Sequence, residues 1–197
     1  MCASALIKCL FSLVLVVATA LLLTALFTPY WRSLDIEKKV GQAVKGEDYS
    51  LGLLPICNVK IDSSTTAKQL EEVCWRNFKS MPAYRQATLA CLILAILACL
   101  LCMVWNCVMC LACCCESCLF HPLPILTGMG FLLSAGAVGI YCIASDTNPL
   151  ERPPEWQDLN LKTELGLSVY VTGAASLLLL VDAILGCLLI RTKETGL

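Results

Sequence analysis

Four stretches of the chain are apolar over the length that a bilayer demands, and the polar residues gather between them. A helix crossing about 30 Å of hydrocarbon needs about 20 predominantly apolar residues. Residues 5–28, 84–109, 123–144 and 165–190 meet that test. Pro29 closes the first stretch, Pro82 precedes the second, Pro122 and Pro124 open the third, and Arg191 stops the fourth. Proline is tolerated in a first helical turn, because the N–H it lacks has no helical partner there. None of the stretches alternates with period 2, so all four are read as helices and not as barrel strands. The first outruns the about 7–15 apolar residues of a secretory signal and is read as a span.

Composition agrees with this pattern. The 197 residues are 58% hydrophobic and 15% charged, against about 45–50% and about 25% in soluble domains. A water-soluble globule of this size has no means of hiding so much apolar surface. Disordered chains are poor in hydrophobics, which excludes that class too. A formal net charge of −1 leaves no basic stripe for a nucleic-acid partner. The expected fold is therefore an all-α membrane four-helix bundle, one module over residues 1–197.

Loops 29–83 and 145–164 lie on one side of the membrane, and the turn 110–122 lies on the other with both termini. The long loop holds only two cysteines, Cys57 and Cys74, a pair suited to one disulfide in an oxidising compartment. The alternative is two free thiols. The turn holds a thiol cluster suited to a reducing cytosol, and Lys8, Arg191 and Lys193 flank the terminal ends. Both signs place the termini in the cytosol and the long loops outside, in a multi-pass protein of the plasma membrane. Within the first loop, residues 49–62 alternate and predict a strand pair, with 73–78 beside it, so the bundle is expected to carry a small extracellular β-sheet. Trp31 reads first as an aromatic anchor at headgroup level, and second as a ring packed under that sheet.

Trp31 just after the first span, Gly52-Leu53 shortly before Cys57, then Cys74, then Arg85 at the start of the second span, resembles the signature of the claudin, peripheral myelin protein and epithelial membrane protein superfamily of tetraspans. Pro154-Glu155-Trp156 followed by Leu165-Gly166 is similar to its myelin and epithelial branch. Leu54 stands where the family pattern has a second tryptophan, and sixteen residues separate the two cysteines. The resemblance implies a left-handed four-helix bundle capped by an extracellular sheet, built mostly from the first outer loop with the second adding an edge. It also implies association through those loops with copies in cis and trans, or with a larger channel or receptor.

Cys107, Cys110, Cys113, Cys114, Cys115 and Cys118 crowd into twelve residues. Cys-x-x-Cys spacings within the cluster suggest zinc, but no second pair lies at a distance to complete a knuckle, and His121 is the only histidine. Juxtamembrane cysteines on a cytosolic turn are S-palmitoylation substrates, and that is the preferred reading over plain helix-end packing. Asp182 lies inside the fourth span and Lys8 inside the first, from the same side. A carboxylate at such depth costs about 2.5–3.5 kcal/mol on insertion scales. An approach of Lys8 to Asp182 within the bundle is one expectation; the other is Lys8 snorkelling outward with Asp182 neutral or bonded to hydroxyls. Gly128, Ala135 and Gly139, with Gly166 and Gly173, form small-residue faces read as packing between the protein's own helices, or as a docking face for another membrane protein.

No nucleophile–base pair, phosphate loop or cofactor site is legible, so no enzyme is expected. Two functions remain. One is cell–cell junction, adhesion or paracellular-barrier formation by self-associating outer loops. The other is an auxiliary, gamma-subunit-like role on an ion channel or receptor. Partners are membrane lipid and other membrane proteins.

Overall fold

The computed structural model describes residues 2–34, 49–54, 78–79, 81–111, 121–147 and 163–194. Its elements in order are α1 (Cys2–Phe27), β1 (Arg32–Leu34), β2 (Tyr49–Leu51), α2 (Ala83–Leu111), α3 (Pro122–Thr147), β3 (Thr163–Leu165) and α4 (Leu167–Glu194). The segments Leu6–Phe27, Ala83–Met109, Pro122–Ala144 and Leu167–Arg191 are each long and apolar enough to cross a membrane.

The buried positions explain how four uniformly apolar helices find one arrangement. On α1 they are Phe11, Leu15, Ala18, Leu22 and Ala25; on α2, Thr88, Leu92, Ala95, Cys99 and Cys102. On α3 they are Leu123, Thr127, Gly130, Ser134, Ala137 and Tyr141, and on α4 Ser168, Thr172, Ala175, Leu179, Asp182, Gly186 and Leu189. In every case the steps alternate between four and three residues. A repeat averaging about 3.5 residues keeps one seam facing inward only if the helices wind left-handedly around each other. Outside the seams, leucine, isoleucine and valine side chains such as Leu13, Leu97, Leu132, Ile143 and Leu177 stand exposed, as a lipid-facing surface requires. The seams α2–α3, α1–α4 and α3–α4 are extensive, and α1–α2 closes the ring more sparsely.

The inward seam is rich in small and hydroxylic residues. Gly130 sits where α2, α3 and α4 converge: a Cβ there would stand 3.4 Å from both Cys99 Sγ and Leu179 Cδ1. Gly186 lies against Pro124, 3.2–3.3 Å from where its Cβ would be. Five buried hydroxyls bond back to their own helix, while that of Ser168 has no partner among the described residues. Thr19, Thr88, Thr127, Thr172 and Ser176 each donate to the carbonyl four residues earlier, at 2.7–3.0 Å. The Ser134 and Ser176 hydroxyls lie 2.8 Å apart and join α3 to α4.

Three of the small residues expected to pack within the bundle do not do so. Among the described residues nothing lies within 4 Å of the Cβ position of Gly128, Gly139 or Gly173. They fall between the four-three positions and so point off the seam.

At one end of the bundle β1 pairs antiparallel with both β2 and β3, giving the order β2-β1-β3. Arg32 lies opposite Leu51 on one side and Leu165 on the other. The strand expected in 49–62 is present at Tyr49–Leu51; the rest of that stretch, and all but Phe78 of 73–78, lie outside the described residues.

Candidate functional site

The residues with the most specific geometry gather where α1 ends. Pro29 has no N–H, so the Ala25 carbonyl four residues earlier loses its helical partner. The Trp31 indole supplies the missing donor: its Nε1–H bonds the Ala25 carbonyl at 2.8 Å. Trp31 is 0% exposed, so it is a core residue and not the headgroup anchor that was its first reading. Its ring meets Tyr141 of α3 edge-on, with centroids 5.1 Å apart and planes at 67°. Tyr141 in turn faces Tyr84 of α2 at 6.3 Å. One aromatic chain thus links α1, α3 and α2 just beneath the sheet.

The segment after β2 is fastened to this cluster from two sides. Leu53 is fully buried in the same core, and Leu54, at the position of the family's second tryptophan, packs partly buried against it. The Arg85 guanidinium, at the start of α2, donates to the Gly52 carbonyl. Gly52 passes so close to Pro29 that a Cβ would stand 3.1 Å from the proline Cα. Gln86, one residue on, donates from Nε2 to the carbonyls of Phe78 and Met81, both at 3.0 Å, and holds the entry to α2.

The fourth helix is tied in through its backbone. Gly166 N–H bonds the Trp31 carbonyl and Ser168 N–H bonds the Tyr30 carbonyl, each at 3.0 Å. A Cβ on Gly166 would lie 2.0 Å from the Tyr30 carbonyl oxygen and 2.7 Å from the Trp31 carbonyl carbon. Only glycine lets the two chains approach this closely.

The result is a platform: three strands whose attachments reach all four helices. Trp31, Gly52, Leu53 and Arg85 are distant in sequence and meet here. The profile of the family described as PMP-22/EMP/MP20/Claudin tight junction matches residues 16–188, from within α1 to within α4. The chain belongs to that family. It is accordingly a multi-pass membrane protein of the tetraspan type. No curated protein matches the chain. Of the family pattern, Cys57 and Cys74 lie outside the described residues, and Leu54 departs from it while keeping an apolar contact with the core.

Sequence reasoning missed one member of the platform and misassigned another. Tyr141 is one aromatic inside an apolar run, and nothing local marks it as the partner of Trp31. Gly166 was grouped with helix-packing glycines, whereas its role lies in the strand-to-helix joint.

The expected approach of Lys8 to Asp182 is not made. Asp182 is 0% exposed, and neither carboxylate oxygen has a hydrogen-bond partner among the described residues. The reason is depth along the bundle. Asp182 stands on the inward seam of α4 one turn past Leu179, whose Cδ1 meets the Cys99 thiol at Gly130. Lys8 lines a groove with Asn106 and Met109, at least a turn nearer the chain ends. Replacing Asp182 with leucine keeps the branch at Cγ and removes both oxygens. It is expected to raise stability by about 1–3 kcal/mol, the range for an unsatisfied buried polar group. The check is the thermal midpoint of the detergent-purified chain; a lower midpoint would mean that the carboxyl has a supporting partner.

Of the cysteine cluster, Cys107 is exposed with a free thiol on α2. Cys110 ends the same helix, and Cys113, Cys114, Cys115 and Cys118 lie outside the described residues. Among the described residues no group of histidine, cysteine or acidic side chains is placed to hold a metal ion.

Proposed function

We propose that this claudin-family protein works as a cell–cell junction or adhesion protein of the plasma membrane, through outer loops that associate with copies of themselves. The observation that supports this most directly is the pairing of β1 with both β2 and β3. It gathers the described parts of the connections α1–α2 and α3–α4 onto one base, with β2 and β3 at its edges among the described residues. Unpaired strand edges are natural sites of lateral association. In this reading the platform faces outward, the termini and the turn 110–122 are cytosolic, and a Cys57–Cys74 disulfide staples the long loop. Such a bridge, closing a loop of about 17 residues, is worth about 3 kcal/mol in the chain-entropy treatment. Palmitoyl chains on cysteines from Cys107 to Cys118 would hold the turn to the inner leaflet, each buried CH₂ contributing about 0.8 kcal/mol. The reading assigns no catalytic role and no cofactor.

A second reading, an auxiliary subunit of an ion channel or receptor, draws on the open space beside Gly128, Gly139 and Gly173. Small residues let a further transmembrane helix approach closely. Expression alone in cells that lack junctions separates the two. Accumulation wherever two expressing cells touch is the expected result. Protein that stays diffuse or intracellular, and reaches the surface only with a co-expressed channel, would replace the first reading by the second.

A further inference from the structure

Trp31 is buried and so does not anchor the protein at the membrane surface. Other aromatic side chains stand exposed at that end of the bundle. Phe27, Tyr30, Leu167 and Tyr170 are each more than half exposed, and Leu165 of β3 is 40% exposed. Backbone bonds from Gly166 to Trp31 and from Ser168 to Tyr30 set the end of α1 beside the joint between β3 and α4. The five residues therefore belong to one region of the surface, on the α1–α4 side of the platform.

Three observations say what covers it. The first is continuity with the lipid-facing surface. Ala174, Leu177 and Val181 are exposed within the span Leu167–Arg191, as residues against hydrocarbon must be. The same stripe runs up through Tyr170 and Leu167 onto Leu165, its steps shortening to two where helix gives way to strand. On α1, Leu23 leads likewise to Phe27, with Tyr30 just beyond the helix end. The second is the backbone. Non-helical chain tolerates contact with lipid only where its polar groups are satisfied within the protein. At this joint the N–H groups of Gly166, Ser168 and Val169 bond the carbonyls of Trp31, Tyr30 and Gly166, at 3.0–3.1 Å. The third is depth. Tyr170 lies three residues inside α4, about 4.5 Å of rise, and the interfacial layer of a leaflet is about 5–7 Å deep. A phenol suits that layer, with its ring against hydrocarbon and its hydroxyl among ester carbonyls and water.

We propose that the β3–α4 joint, with Phe27 and Tyr30, is a membrane seat: it rests against phospholipid in the interfacial layer, with Tyr30 and Tyr170 as its anchors. Interfacial aromatic anchors help to set the tilt and rotation of a span. Here they also set the height of the platform, because Tyr30 is joined directly to Trp31 and bonded to the start of α4. The β3 side of the platform then lies on lipid, and contacts with neighbouring molecules fall to its other surfaces. The seat holds whether the outer loops join cells or clasp a channel.

The test uses the full chain in phosphatidylcholine vesicles. Benzoylphenylalanine is placed in turn at Leu167, Tyr170 and Leu177, all exposed positions, and activated by light, and the adducts are weighed by mass spectrometry. Leu177, well inside the span, gives the reference yield of phospholipid adduct. Leu167 and Tyr170 should give the same adduct in similar yield. A chain–chain adduct in its place would mean that a second copy covers the joint, which overturns the seat and leaves self-association standing. The unaltered chain supplies a second reading that no substitution can disturb. Under hydroxyl-radical footprinting in the same vesicles, Tyr30 and Tyr170 should be oxidised about as slowly as the buried Tyr141. Oxidation of both at several times the rate of Tyr141, or no phospholipid adduct at either Leu167 or Tyr170, would place the joint in water and overturn the seat.

Discussion

Gly166→Ala is expected to remove most of the folded protein, a large effect for one methyl group. The added Cβ would stand 2.0 Å from the Tyr30 carbonyl oxygen and 2.6 Å from its carbon. Both are backbone atoms, fixed by the end of α1 and by β1, so no side-chain rotation relieves the clash. The joint between β3 and α4 would have to move away from residues 30–31. That movement breaks the bonds from Gly166 N–H to the Trp31 carbonyl and from Ser168 N–H to the Tyr30 carbonyl, and pulls the β1–β3 pairing with them. Overpacking alone commonly costs about 1–3 kcal/mol, and losses above about 4 kcal/mol mark a few severe mechanisms, of which this is a case. The measurement is the yield and thermal midpoint of detergent-solubilised protein. Gly173→Ala serves as the comparison, since among the described residues nothing lies within 4 Å of that Cβ. Equal tolerance of both substitutions would show that the close approach at Gly166 is not needed.

Trp31→Ala should cost about 3–5 kcal/mol, the range for truncating a large buried aromatic. Two effects combine in that figure, and they are separable. One is volume, since the ring fills the space between Ala25, Tyr141 and the sheet. The other is the Ala25 carbonyl, which Pro29 deprives of its helical donor and which the indole N–H satisfies. Trp31→Phe keeps much of the ring and leaves that carbonyl unpaired, so it should cost about 1–3 kcal/mol. Pro29→Ala restores a backbone N–H at position 29. In that background Trp31→Phe should cost distinctly less, and a double-mutant cycle reads the difference as a coupling energy. Additive effects in the cycle would mean that the indole bond is incidental to the packing.

Much of the architecture was legible along the chain. The number and type of spanning elements follow from four apolar runs, because the bilayer accepts only helices or closed barrels and these runs do not alternate. Trp31, Gly52, Leu53 and Arg85 were legible as a set through family resemblance, yet their purpose was not. Trp31 beside a membrane end reads equally well as an interfacial anchor, and only its partners decide otherwise. The buried seam is present in the sequence as a four-three spacing, but it is carried largely by serine, threonine, glycine and alanine against a background of leucine. A hydropathy reading ranks leucine as core, and in a bilayer many leucines face lipid instead. The same inversion misled the glycines: Gly128, Gly139 and Gly173 looked like contact residues, while Gly130 and Gly186 make the contacts.

The sequence by itself determined the class of protein, the four spans and the family, since each depends on composition, run length or local motif. The tertiary structure alone decided which faces pack, which residues share the platform and whether Lys8 reaches Asp182. Those outcomes depend on where separate helices stand relative to one another, in register and in rotation. A shift of one turn along a helix, about 5.4 Å, is invisible to local pattern. It is nonetheless enough to set Asp182 on the inward seam of α4 and leave Lys8 in a groove between α1 and α2.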